Sequence, residues 1–202
     1  MNSLISFFKS IALLLVVSFI MAIFNMTIKN QTIAYFFTYF VTSLIFIFIY
    51  KDKLRNDFLN LKKYLNIKNI IIVVLFLVLS FVSNEVLVTI LKQEASNQEI
   101  VTSILKKSPI LGIPAICLFG PFIEEIIYRL PYKKNWLSII ISTVVFTLSH
   151  MVDFSLTQTL FIIPYLLLSI SFSFAYFKNE NIILSTIAHI LNNLISVVLL
   201  LI

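Results

Sequence analysis

Two adjacent glutamates, Glu124 and Glu125, lie within a stretch that otherwise reads as a membrane helix, and Arg129 follows on the same helix. The only two histidines, His150 and His189, fall in two later apolar spans, and Asn193 follows His189 at a spacing of four. Ionisable groups in hydrocarbon are costly and mark function by default. A carboxylate and imidazoles are the groups that take a proton from water, and an amide is a donor for a developing oxyanion.

Helical spacing sorts these groups. Glu125 and Arg129 are four apart, share a face and can pair, which is the cheapest way to keep an arginine in a membrane. Glu124 is turned by about 100° from Glu125, so it lacks Arg129 as its natural partner and is the candidate general base. Phe146 and His150 share a face, as do His189 and Asn193, while Asn192 turns away. Each set alone has a plainer explanation: an ion cluster, an arginine reaching for the surface, or polar contacts between helices. The argument for chemistry is their occurrence together on three spans.

These residues need helices to position them, and the composition supplies them. Of 202 residues, 60% are hydrophobic and 12% charged, well off the usual soluble balance. With two glycines no glycine-rich phosphate loop can be built. The reading is a single all-α integral-membrane domain over 1–202, a polytopic helix bundle. A crossing helix needs about 20 apolar residues. About seven transmembrane helices are expected, at roughly 7–28, 32–50, 69–91, 109–130, 136–152, 159–177 and 182–202. The first is too long for a signal-peptide core and is not followed by a small-x-small cleavage pattern.

The net charge of +6 does not indicate nucleic acid, because much of it sits in one connection, 51–68. Lysines there, with Lys133, Lys134 and Lys178, fit a cytoplasmic N-terminus by the positive-inside rule and suit anionic membrane lipids. Lys29, Lys92, Lys106 and Lys107 would lie outside, two of them offset by Glu94 and Glu99. The segment 92–108 is polar, then amphipathic, as for an interfacial helix. Pro109, Pro114, Pro121 and Pro131 flank or interrupt span four, which makes it the span to line a hydrated cavity. Cys117 reads as packing. One mismatch is in depth. At 1.5 Å per residue from the flanking lysines, Glu124 lies about 14 Å and His189 about 16 Å along their helices, but His150 about 24 Å.

The patterns E-E-x-x-x-R, F-x-x-x-H and H-x-x-x-N, in this order over residues 109–197, resemble the CAAX protease and bacteriocin-processing family of intramembrane proteases, and the resemblance implies a catalytic helix core at 109–197. The resemblance implies a bacterial membrane endopeptidase in which Glu124 with His150 activates water, His189 and Asn193 hold the oxyanion, and Glu125 and Arg129 orient the site. The substrate would be a peptide or protein, with a prenylated protein or a bacteriocin precursor as candidates, and self-immunity as a role. Zinc on Glu124, His150 and His189 is an alternative, although no H-E-x-x-H helix is present and a free glutamate base cannot also be a tight ligand. Catalysis without a cofactor is the favoured reading. An aspartyl protease fails for want of two buried aspartates, and Ser149 and Ser185 lack a glycine-rich turn to expose them. A non-catalytic bacteriocin immunity membrane protein and a small proton-coupled transporter are the rival classes.

Overall fold

A computed structural model describes residues 2–201, all of its regular elements being helices. The helices are α1 (Asn2–Thr27), α2 (Gln31–Leu59), α3 (Leu61–Tyr64), α4 (Ile67–Leu91), α5 (Ser96–Lys107), α6 (Pro109–Pro114), α7 (Gly120–Tyr128), α8 (Trp136–Ser149), α9 (Leu156–Thr159), α10 (Ile162–Phe177) and α11 (Ile182–Leu201). A π-helical turn, Ala115–Phe119, joins α6 to α7. Among the described residues six helical stretches are long and apolar enough to cross a membrane. The expected all-α polytopic bundle is what the chain forms.

The fifth expected span, 136–152, differs. Helix α8 has 14 residues, about 21 Å at the helical rise, against about 30 Å of hydrocarbon. Asn135 starts it by accepting from the Ser138 N–H at 2.9 Å, an N-cap. It stops at Ser149, where the Ser149 hydroxyl and the His150 ring both turn back on the Phe146 carbonyl, at 2.7 and 2.9 Å. Such side-chain bonds compete with the helix's own.

The basic 51–68 connection also differs, because α2 continues through a kink at Tyr50 to Leu59. Asp57, expected in a loop, is buried. Its carboxylate accepts from Lys53 Nζ at 2.7 Å and from the Ile182 N–H at 2.8 Å, and its carbonyl accepts from Asn181 at 2.8 Å. Asp57 thus satisfies a free N–H at the start of α11, the end of a helix where negative charge is favoured. Lys53 also reaches the Glu180 carbonyl, and Glu180 accepts from the Lys134 N–H. Ser3 of α1 bonds Ser138 at the start of α8. These contacts bring the chain's N-terminal end, the end of α2, the 129–135 turn and the 178–181 turn to one face of the bundle, the basic face.

Helix α10 is central, packed along α4, α8 and α11, while α7 packs against α2 and α11. The core between them is built from Phe46, Ile123, Ile126, Phe146, Phe172 and their neighbours. Segment 92–108 carries the expected amphipathic helix as α5, whose Leu105 is buried against the π-turn residues Ile116 and Cys117. Large apolar side chains on α1, α2 and α4 are exposed, as lipid-facing surface requires.

Candidate active site

The π-turn explains the shape of the helix that carries the two glutamates. Pro114 and Pro121 lack N–H groups, so the ordinary ladder cannot run through residues 110–121. The Gly120 N–H bonds the Ala115 carbonyl, five residues back, and the Ile116 carbonyl is left without its helical donor. Asn193 of α11 supplies one: its amide donates to that carbonyl at 2.9 Å. Gly120 is needed here, since a Cβ would come 3.1 Å from the Ala115 carbonyl and 3.4 Å from Tyr39. The turn re-aims α7 just before Glu124. An Asn193→Ala variant is expected to lose about 1–3 kcal/mol of stability, the usual effect of stranding a buried acceptor; an unchanged unfolding temperature in detergent would refute this tether.

Glu124 and Glu125 then face different partners, as their rotation requires. The Glu124 Oε2 lies 3.4 Å from His150 Nε2 and 3.7 Å from His189 Nε2. Glu125 is fully buried and accepts from His189 Nδ1 at 3.0 Å. Its other oxygen sits 3.6 Å from Arg129 Nε. Three elements therefore converge: α7 with both glutamates, the end of α8 with His150, and α11 with His189. His150 is level with Glu124 despite its longer helical count. Residues 129–135, which separate Glu124 from the lysines, form a turn rather than helix, so a rise of about 1.5 Å per residue does not hold there.

Arg129 does not reach for the surface; it is 0% exposed. Its guanidinium donates to the hydroxyls of Ser142 at 2.9 Å and Ser169 at 3.0 Å and to both of their carbonyls. It also lies over the Phe146 ring, 4.9 Å from the centroid, a cation–π contact. One arginine thus links α7, α8 and α10 beneath the glutamates. Phe172 stacks on His189 with centroids 4.2 Å apart, and Tyr165 lies 5.1 Å from the His150 ring. Ser142, Ser169, Phe172 and Tyr165 were not singled out from sequence. The one available signal was the run of serines at 169, 171 and 173 in an otherwise apolar span.

Tautomers follow from the partners. A carbonyl only accepts, so the Phe146 carbonyl requires the proton of His150 on Nδ1. The Glu125 carboxylate requires the same of His189. In their neutral forms both imidazoles present Nε2 lone pairs toward Glu124, whose Oε2 is buried and lacks a hydrogen-bond donor. Three acceptors facing one point call for a shared proton donor. Among the described residues no group of three His, Cys, Asp or Glu side chains is arranged to hold a metal ion. Ser149 contacts His150 Nδ1 at 3.3 Å but donates to the Phe146 carbonyl, and Ser185 donates to the Ile182 carbonyl. Neither serine is paired with an imidazole as a nucleophile would be.

Residues 106–195 match the family described as type II CAAX prenyl endopeptidase Rce1-like. The similarity spans 106–195 of the 202 residues. The matched segment contains all six residues named from sequence, Glu124, Glu125, Arg129, His150, His189 and Asn193. No curated protein and no solved structure matches the chain. Six apolar helices of crossing length among the described residues, together with the similarity over 106–195, point to an integral membrane protein.

Proposed function

We propose that this protein is a glutamate-type intramembrane endopeptidase. The observation that carries the reading is the convergence of Glu124 Oε2 with His150 Nε2 and His189 Nε2 from three helices. A water molecule has two O–H groups to offer such a set of acceptors and a lone pair to use as nucleophile.

In this mechanism Glu124 takes one proton as the water oxygen bonds to the peptide carbonyl carbon, with His150 accepting the other O–H. The carbonyl π pair moves to oxygen, giving an oxyanion. Asn193 keeps an amide N–H beyond the one given to Ile116 and can donate it. His189 donates from Nε2 when that nitrogen carries a proton, its Nδ1–H held by Glu125. The tetrahedral species collapses as the C–N bond breaks, and the proton on Glu124 passes to the leaving amine. The products are a carboxylate and an amine, with one proton released. Arg129 supplies the fixed positive charge that holds Glu125, and through it the His189 ring, in place.

The candidate substrates are a prenylated CAAX peptide and a bacteriocin precursor in a bacterial membrane. Purified protein should cleave a fluorogenic prenylated CAAX peptide or a double-glycine leader peptide in detergent, and cleavage should persist with a strong zinc chelator. Loss on chelation, restored by zinc, would replace the glutamate mechanism with a metalloprotease. Cleavage of neither peptide, combined with full protection of bacteriocin-challenged cells by Glu124→Ala, would favour a non-catalytic immunity protein.

A further inference from the structure

We propose that the substrate reaches Glu124 from the face opposite the basic loops, so that the protein cleaves peptides presented on the extracytoplasmic side. The proposal rests on the protease reading and adds the side from which substrate comes.

The basic-face side of the site is closed. From Glu125 to Arg129 no residue of α7 or its cap is more than 4% exposed. Tyr132, Tyr176 and Phe177 form the next layer, each at most 3% exposed. Hydrogen bonds hold this layer to α1: Ser10 donates to the Ile127 carbonyl at 2.8 Å and Ser6 to the Pro131 carbonyl at 2.7 Å. A peptide coming from the basic loops would have to displace the buried arginine and its serines.

On the other face the flanking helices stop short. Helix α8 ends at Ser149 with His150 as its cap, and α10 begins at Ile162, three residues before the Tyr165 ring that lies against His150. The connection between them is open, with residues 152–157 all exposed. Glu124 and His150 keep 24% and 16% of their side-chain surface accessible, although their neighbours on the basic side have essentially none. Helix α5 borders this opening. Its first N–H is held by Gln158, which also donates to the Glu94 carbonyl, and Asn97 is in polar contact with Tyr165.

A cavity of about 690 Å³ lies on the same face between α1, α2 and α5, with Lys29, Glu99 and Lys107 among its lining residues and Tyr35 at its wall. Tyr35 packs on Tyr39 with ring centroids 4.4 Å apart, and Tyr39 abuts Gly120, one turn before Glu124. The cavity wall and the site wall are therefore continuous. Its mixed apolar and charged lining suits an amphipathic peptide.

The charges give this face its side. The basic face carries nine basic residues, Lys51, Lys53, Arg55, Lys62, Lys63, Lys68, Lys133, Lys134 and Lys178, while the open face carries four, Lys29, Lys92, Lys106 and Lys107, against the acids Glu94, Glu99 and Asp153. The positive-inside rule puts the basic face in the cytoplasm and the opening outside. A substrate tail on a cytoplasmic protein would then be on the wrong side, whereas a translocated or secreted peptide would not.

The test uses the full chain with Cys117→Ala, so that each introduced cysteine is the only one. Phe154→Cys should label with a membrane-impermeant maleimide in intact cells, and Lys62→Cys only after lysis. The double-glycine leader peptide, added to wild-type protein, should be cleaved in spheroplasts and not in sealed inverted vesicles. Reversed labelling, or cleavage confined to inverted vesicles, overturns the proposal alone. Absence of cleavage in every preparation, detergent included, counts against the protease reading and removes this one with it.

Discussion

Glu124→Gln is expected to lose about 10²–10⁴-fold in kcat with little change in KM, the usual contribution of a positioned general base. Gln keeps the volume and the hydrogen-bonding reach of Glu but cannot take a proton from water. The change should leave folding intact, because Glu124 is not the residue that neutralises Arg129. Its nearest partners are the two Nε2 atoms, which the amide N–H of Gln can satisfy. His150→Gln should lose activity on a similar scale, again with little loss of stability, since α8 ends just before that residue and only the Phe146 carbonyl loses a donor. The double variant should be scarcely worse than either single one, as groups acting as a unit are strongly non-additive. Initial rates over a range of substrate concentration, with unfolding temperatures on the same preparations, check all three. Full activity in Glu124→Gln would end the assignment of this residue as the base.

How much of this could be read from the sequence depended on how local the signal was. Apolar stretches of crossing length report helices directly, and a spacing of four places Glu125 beside Arg129 whatever surrounds them. The rotation between adjacent residues likewise separates Glu124 from Glu125. Where a helix stops is harder to see. Helix α8 ends because Ser149 and His150 turn onto one carbonyl, and α2 runs on to Leu59 with Asp57 anchored on residues more than 120 positions later. The long-range partners of Asp57 are not visible in a local pattern, and an apolar count does not report the local side-chain bonds that stop α8. The prolines of span four signalled a disrupted ladder, but not that a π-turn would free the Ile116 carbonyl for Asn193. That bond gives Asn193 the plainer task the sequence allows, a polar contact between helices, on a partner the sequence does not show. The serines around Arg129 escaped notice because Ser in an apolar span is ordinary until a charge is found against it.

The largest stability effect is expected at Arg129. Arg129→Met should destabilise the protein by roughly 3–5 kcal/mol, the scale for breaking a buried pair and leaving its partner charged. Glu125 would lose its cation, and the hydroxyls of Ser142 and Ser169 would lose the donors they face. Glu125→Gln should also destabilise, but by less, because the guanidinium keeps its bonds to both serines and its place over Phe146. The double variant Glu125→Gln/Arg129→Met removes both charges, so it should be more stable than Arg129→Met alone. A double-mutant cycle read by unfolding in detergent measures that recovery, with coupling of about 0.5–3 kcal/mol for residues in contact. Glu125 and Arg129 approach at 3.6 Å without a hydrogen bond between them, so a small coupling is the informative alternative. It would mean that the serine cradle, not the carboxylate, holds the arginine, and that the main task of Glu125 is at His189. In that case Glu125→Gln would fold normally yet lose activity, since an amide oxygen in place of the carboxylate gives His189 no counter-charge.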